Sequence, residues 1–380
     1  MYGEDAAKWL GEQAKAMEAA LAELVEVNSF TDNTEGGRKV ASMLEELLAV
    51  DTFAGKRVGS TRYADHLVFT SEGQGASTPV ALVGHYDTVF PPGTFEGFKR
   101  DGDLARGPGV LDMKGGLVVV AWALRALAQV GGLPAVRLVI VADEEVGSPE
   151  GQGVIRDAIA GAGSALVFEA GRKNDLVITR RKGTGSVTLK ARGVAAHAGN
   201  NHKDGVNAIW ALARVIDKVQ TLTAYDRGVT VNVGKVSGGT SKNTVPDEAE
   251  AVVDLRFESK ADAEALVASI HRIAGEHGVP GATVEVLGGI ARFPMERSDA
   301  SVRLLEAYGA AARASGLGSG EAALIGGGSD ASTSSAMGIA SIDGLGPRGL
   351  GFHTKDEQIE IATLVSKAQA LARFLASVRA

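Results

Sequence analysis

Three short, almost wholly apolar runs constrain this chain more than any other feature. They are Val80–Val83, Val136–Ala142 and Ala165–Phe168. Runs of this length, bounded by turn residues, read as buried strands. Strands that are apolar on both faces belong to parallel sheets covered by helices on both sides. Helical patterns stand between them, as in Leu117, Val120, Leu124 and Leu127. The alternation predicts an α/β fold with a mainly parallel sheet, whose ligands sit beyond the carboxyl ends of the strands.

Each run gives way to a polar, acidic segment. The first leads into Gly84-His85-Tyr86-Asp87-Thr88-Val89, the second into Asp143-Glu144-Glu145-Val146-Gly147-Ser148, the third into Glu169-Ala170-Gly171. His85 and Asp87 are two apart, so in an extended segment both side chains leave on one face. Imidazole and carboxylate together suit a divalent cation such as zinc. Three consecutive acids at a strand end need either solvent, as on a surface loop, or a positive partner. Asp112, in Gly109-Val110-Leu111-Asp112-Met113-Lys114-Gly115-Gly116, precedes a helix and has two readings. One is an N-cap aspartate; the other is a carboxylate bridging two metals at a helix start, where anions are favoured. His85, Glu144, Glu145 and Glu169 all fall at strand ends, and this shared placement favours a metal site.

Composition narrows the chemistry. There is no cysteine, so a metal must be held by His, Asp and Glu, and no disulfide or thiolate nucleophile exists. A net charge of -7 argues against nucleic acid as a partner, since that needs a basic surface. The longest strongly apolar run, Leu117–Leu124, is far short of a membrane span. Met1-Tyr2-Gly3-Glu4-Asp5 lacks the basic, then apolar, pattern of a signal peptide, so the expectation is a cytoplasmic protein.

At 380 residues, two domains are expected. From about Lys182 the texture changes to alternating strands, at Ser186–Lys190, Val229–Val236 and Ala249–Phe257, with helices near Val206–Ile216 and Ala261–Glu276 and a last strand at Thr283–Leu287. The order β-α-β-β-α-β matches the ferredoxin-like split motif with an antiparallel sheet. The expected organisation is residues 1–181 and 293–380 as two segments of one domain, with residues 182–292 inserted as an α+β domain. Helices are expected over Asp5–Asn28, Arg38–Val50, Ser301–Ser315 and Ile361–Val378. His202, His271 and His277 fit no motif and are expected to be solvated.

Taken together, the segments resemble the M20 family of metallopeptidases, and most of all its glutamate carboxypeptidase (carboxypeptidase G2-like) branch. The resemblance spans nearly the whole chain. Besides the three strand-end motifs and the Asp112 motif, it is carried by Ala196-His197-Ala198-Gly199 and by Phe352-His353. It implies two zinc ions bridged by Asp112, with cobalt or manganese as alternatives. His85 and Glu169 would complete one position, Glu145 and His353 the other, and the pair would lower the pKa of a water. Glu144 would be the general base, and Asp87 would fix the tautomer of His85 from behind.

In the inserted domain, which resembles the family's dimerisation or lid domain, His197 would steady the oxyanion, usually in the other subunit. Arg256 would fork onto a substrate carboxylate, helped by Asn243, while Gly328 would line the pocket through its backbone. Loop-histidine and exposed-strand readings stand beside these for His197 and Arg256. Arg180, Arg181 and Lys182 do not align with the basic grip of the carboxypeptidase branch, which leaves the substrate open.

The implied activity is removal of a C-terminal amino acid, glutamate among the candidates, from small peptides or N-acyl amino acids by a homodimer. An N-deacylase of the acetylornithine or succinyl-diaminopimelate type is the second reading. A non-catalytic dimer that binds a carboxylate ligand is the third, and the complete set of ligands and base disfavours it.

Overall fold

The apolar runs form the centre of a six-stranded sheet in the computed structural model, which describes residues 2–73 and 78–378. Its strand order is Ala54–Val58, His66–Glu72, Ala135–Val141, Val80–His85, Ser164–Val167 and Ala340–Ile342. The last four run parallel, and the first two add an antiparallel edge. Every residue of Val80–His85 is buried, as strands covered on both faces require. The helix Lys114–Gln129 packs on that strand and is buried around almost its whole circumference. Gly151–Ile159 packs on Ala135–Val141.

The chain divides into two compact units. One comprises Met1–Arg180, Arg297–Leu324 and Ser329–Ala380; the other comprises Arg181–Glu296 with Ile325–Gly328. The expected first helix is two, Tyr2–Gly11 and Ala14–Glu26. The break keeps one apolar face, because Leu10, Met17, Leu21 and Leu24 are all buried in the same core.

The first unit also holds a small antiparallel sheet that sequence periodicity did not indicate. Its strands are Gly349–Leu350, Gln358–Glu360, Leu104–Arg106 and Lys99–Asp101. The register pairs Gln358 with Arg106 and Leu350 with Gln358. The loops after Arg106 and before Gln358 therefore emerge at one end of this sheet.

In the second unit the sheet order is Thr230–Gly238, Glu248–Phe257, Gly183–Arg192 and Thr283–Arg292, all antiparallel. With helices Ala208–Gln220 and Lys260–Gly275, that is the ferredoxin-like split arrangement. Glu248–Phe257 alternates strictly, and Ala249, Ala251, Val253, Leu255 and Phe257 join a separate core. The fold class is α/β, a mainly parallel sheet accompanied by an α+β domain. Among the described residues, no helix is long and apolar enough to cross a membrane.

Candidate metal centre

Main-sheet strand ends supply most of the acidic cluster. His85 is the last residue of its strand and is buried. Glu144 and Glu145 lie in a single helical turn just beyond Ala135–Val141, and Glu169 comes two residues after Ser164–Val167. The small sheet supplies Asp112 and His353 from the two loops at its one end.

The Gly115-Gly116 pair explains how Asp112 comes so close. A Cβ at Gly115 would lie 2.2 Å from the Val110 carbonyl oxygen, and one at Gly116 would lie 2.2 Å from that of Phe168. Without side chains there, the helix start abuts both the Asp112 loop and the strand end that carries Glu169. The N-cap reading of Asp112 does not hold. The cap position of Lys114–Gln129 is Met113, and no side chain caps it. The Asp112 carboxylate is turned to the cluster instead.

Its two oxygens face two imidazoles. Asp112 Oδ1 is 3.3 Å from His85 Nε2, and Oδ2 is 3.3 Å from His353 Nε2. His85 Nε2 also lies 3.8 Å from Glu169 Oε1, while His353 Nε2 lies 3.0 Å from Glu145 Oε2. One donor atom each from His85, Asp112 and Glu145 fall within 4.8 Å of one another, as do donors from His85, Glu144 and Glu169. His353 adopts φ 61° at the tip of its loop.

These residues fit a pair of divalent cations. His85 Nε2 and Asp112 Oδ1 are buried and 3.3 Å apart, and among the described residues neither makes a hydrogen bond of good geometry. Burial pushes Glu145 up to about 8, helped by the charges of Asp112 and Glu144. Burial, with Asp112 beside it, also raises Glu169 well above the carboxylate range. Burial opposes ionisation of Asp112 too, yet the imidazoles of His353 and His85 hold its carboxyl below the usual range. Cations among these groups would relieve the crowding of like charge. A set of imidazoles and carboxylates with no thiolate suits zinc, and also cobalt or manganese.

The three consecutive acids divide their work. Asp143 turns away, its Oδ2 accepting from the N–H groups of Glu150 and Gly151 at the start of a helix. Asp87 holds the turn that carries the other two. Its Oδ1 accepts from the Glu144 N–H at 3.1 Å and its Oδ2 from the Glu145 N–H at 3.2 Å. Thr31 Oγ1 donates to Oδ2 as well, at 2.8 Å. His85 Nδ1 is 3.1 Å from the Asp87 carbonyl oxygen and 3.3 Å from its carboxylate, so Asp87 meets both the imidazole and the acidic turn. Asp87→Asn places an amide N–H against one of those backbone donors. We expect kcat to fall about 10–100-fold with KM nearly constant, measured by steady-state kinetics; an unchanged kcat would show that the turn holds itself.

Two buried groups near the cluster escaped sequence reading. Lys114, fully buried, donates from Nζ to the carbonyl oxygens of Leu24 and Val27, and burial lowers its pKa to about 7. Glu357, also buried, accepts from three backbone N–H groups of the Asp112 loop, and burial raises it to about 7. Its one sequence signal is a spacing of four from His353.

The remaining expected site residues, His197, Asn243, Arg256 and Gly328, belong to the second unit. His197 is exposed on a two-residue strand paired with Thr244–Val245, and the Ala198 N–H donates to the Asn243 carbonyl. The His197 Nδ1 accepts from the N–H groups of Gly199 and Asn200, which leaves Nε2 as the protonated nitrogen of the neutral ring. Arg256 forks onto Asp254, with Nε and Nη2 each 3.0 Å from a carboxylate oxygen. Gly328 ends the short segment Ile325–Gly328. Of the three histidines expected in solvent, His277 is buried instead, and its Nδ1 accepts from the Val279 N–H.

Residues 179–282 match the M20 peptidase dimerisation domain. Carboxypeptidase G2 of Pseudomonas sp. (strain RS-16) is 26% identical over 372 residues, covering 96% of this chain and 89% of that protein. Succinyl-diaminopimelate desuccinylase of Cereibacter sphaeroides is 29% identical over 375 residues, covering 91% and 94%. Among solved structures, the YXEP protein of Bacillus subtilis, a dinuclear metal-binding peptidase from the M20 family, superposes with a TM-score of 0.70 at 17% identity, over 97% of this chain and 99% of that one. The fold, the matched dimerisation domain and the near full-length likeness to a carboxypeptidase agree: this chain carries an M20 peptidase dimerisation domain, is similar to M20 peptidases over nearly its whole length and is a hydrolytic enzyme.

Proposed function

We propose that the protein is a dinuclear zinc amidohydrolase that removes a C-terminal amino acid from peptides or N-acyl amino acids, acting as a cytoplasmic homodimer. The observation that carries this reading is the Asp112 carboxylate, with one oxygen towards each of two imidazoles. His85, Asp112 and Glu169 would hold one zinc, and Asp112, Glu145 and His353 the other. Bound there, the pair would lower the pKa of water and polarise the scissile carbonyl.

Each protein group then has a defined task. Glu144, on the turn that Asp87 fixes, takes a proton from the attacking water and returns it to the leaving nitrogen. Asp87 keeps that turn and the His85 ring in place. The substrate-facing roles that the family likeness implies fall on the other unit. His197 offers Nε2–H to the developing oxyanion, reaching the other subunit. Arg256 exchanges Asp254 for the substrate's free carboxylate, with Asn243 beside it. Gly328 contributes backbone contacts.

A second reading is supported by the likeness to the desuccinylase: an N-deacylase of the succinyl-diaminopimelate or acetylornithine type. Both readings use the same metal ligands, so the test is a substrate panel joined to metal analysis. The expected result is about two zinc, cobalt or manganese ions per chain, and hydrolysis of N-acyl amino acids or dipeptides, acidic C-terminal residues included. Turnover confined to N-succinyl or N-acetyl diamino acids would move the assignment to the deacylase. Absence of bound metal in active protein would remove the dinuclear mechanism.

A further inference from the structure

A carboxylate that touches no proposed metal position nevertheless ties two of the ligand-bearing loops together. Glu357 is buried, with 1% of its surface exposed. Its Oε2 accepts from the Gly109 N–H at 3.1 Å, and its Oε1 accepts from the Leu111 and Asp112 N–H groups at 2.9 and 3.0 Å. A single side chain thus satisfies three donors in four residues. The last donor is the backbone N–H of Asp112 itself.

Glu357 is also the last residue before the strand Gln358–Glu360, at the end of the loop that carries His353. The Glu357 N–H donates to the Thr354 carbonyl oxygen, and the Thr354 N–H to that of Gly351, which folds the His353 loop on itself. The Glu357 carbonyl oxygen accepts from the Gly107 N–H. Two residues after Asp112, Lys114 donates from Nζ to the Leu24 and Val27 carbonyl oxygens near a helix C-terminus, where a cation is favoured. The Glu357 carboxyl thus holds the backbone of the Asp112 loop, and the Lys114 side chain anchors the helix start that follows it.

We infer that Glu357 is a positioning residue for metal binding: it fixes the Asp112 carboxylate against the His353 imidazole so that both can share one cation. The inference rests on the dinuclear reading above. Buried N–H donors left unpaired are costly, so without Glu357 the loop would rearrange to find other acceptors. Asp112 would move with it. The position formed by Asp112, Glu145 and His353 should suffer most, because Glu357 joins two of its three loops.

The test is zinc titration of the metal-stripped chain against a competing chelator, for wild type, Glu357→Gln and Glu357→Asp. Glutamine keeps the shape but turns an N–H donor towards one loop amide, and aspartate keeps the charge but shortens the reach. We expect folded variants whose weaker zinc site loses about 10–100-fold in affinity, so that one zinc remains where the wild type holds two. A variant that melts earlier yet binds two zinc ions with wild-type affinity would reduce Glu357 to a structural role and overturn the inference. If the wild type itself binds fewer than two ions, it is the dinuclear reading that fails. Hydrogen exchange on the wild-type chain tests the grip even if the variants do not fold: the Gly109, Leu111 and Asp112 amides should be protected like those of the adjoining helix, and fast exchange there would overturn it.

Discussion

Glu144→Gln is expected to abolish turnover for practical purposes while leaving metal content intact. General-base catalysis contributes about a hundred- to ten-thousandfold, equivalent to about 3–5 kcal/mol of barrier. The amide cannot accept the water's proton, yet it matches the carboxylate in size and its backbone stays pinned to Asp87 Oδ1. The position of Glu144 beside His85 and Glu169 makes the metal control necessary. Elemental analysis should give the wild-type metal content with kcat reduced at least a hundredfold. A variant that loses an ion along with its activity would recast Glu144 as a ligand. One that keeps full activity would remove it as the base.

Whether such a residue can be read from sequence depends on how regular its surroundings are. His85, Glu144, Glu145 and Glu169 were legible because each comes after a run with no polar alternation. Such runs form parallel strands buried on both faces, and the sheet brings their ends together. The ferredoxin-like unit was legible for the converse reason: strict alternation in Glu248–Phe257 marks one face as core and the other as open. The antiparallel edge formed by Ala54–Val58 and His66–Glu72 gave weaker signals, since one strand is mostly exposed.

Glu357 was illegible for a different reason. It stands in Lys355-Asp356-Glu357, which reads as an exposed charged turn, and its partners are backbone amides about 250 residues away that no side-chain pattern announces. His277, expected in solvent because it fits no motif, is buried, and its Nδ1 accepts from the Val279 N–H. Asp112 had two sound readings from sequence. The structure decides between them, because Met113 holds the cap position and the Asp112 oxygens face His85 and His353, while Gly115 and Gly116 let the helix start come against Val110 and Phe168.

Asp112→Asn should strike harder than any other single substitution, because one carboxylate serves both proposed cations. In the wild type its two oxygens face His85 and His353 separately, so no other ligand can replace it at both positions. An asparagine offers one neutral acceptor and one donor, and the donor would point at an imidazole nitrogen or at the ion itself. The loss shows in stability as well as in activity. A ligand that binds the folded chain alone adds RT ln(1 + [L]/Kd), about 4 kcal/mol when zinc is present at roughly a thousand times Kd. Wild-type protein should therefore melt at a markedly higher temperature with zinc than after chelation. Without metal, the substitution also has opposing effects: it removes a charge that pushes up Glu145 and Glu169, and it removes the anion that His85 and His353 face. The metal-free stability of the two proteins should accordingly differ much less than their response to zinc. Scanning calorimetry with and without chelator separates the terms. A zinc-dependent shift in Asp112→Asn equal to that of the wild type would mean that the ions are held without this carboxylate, and the bridging role would be lost with it.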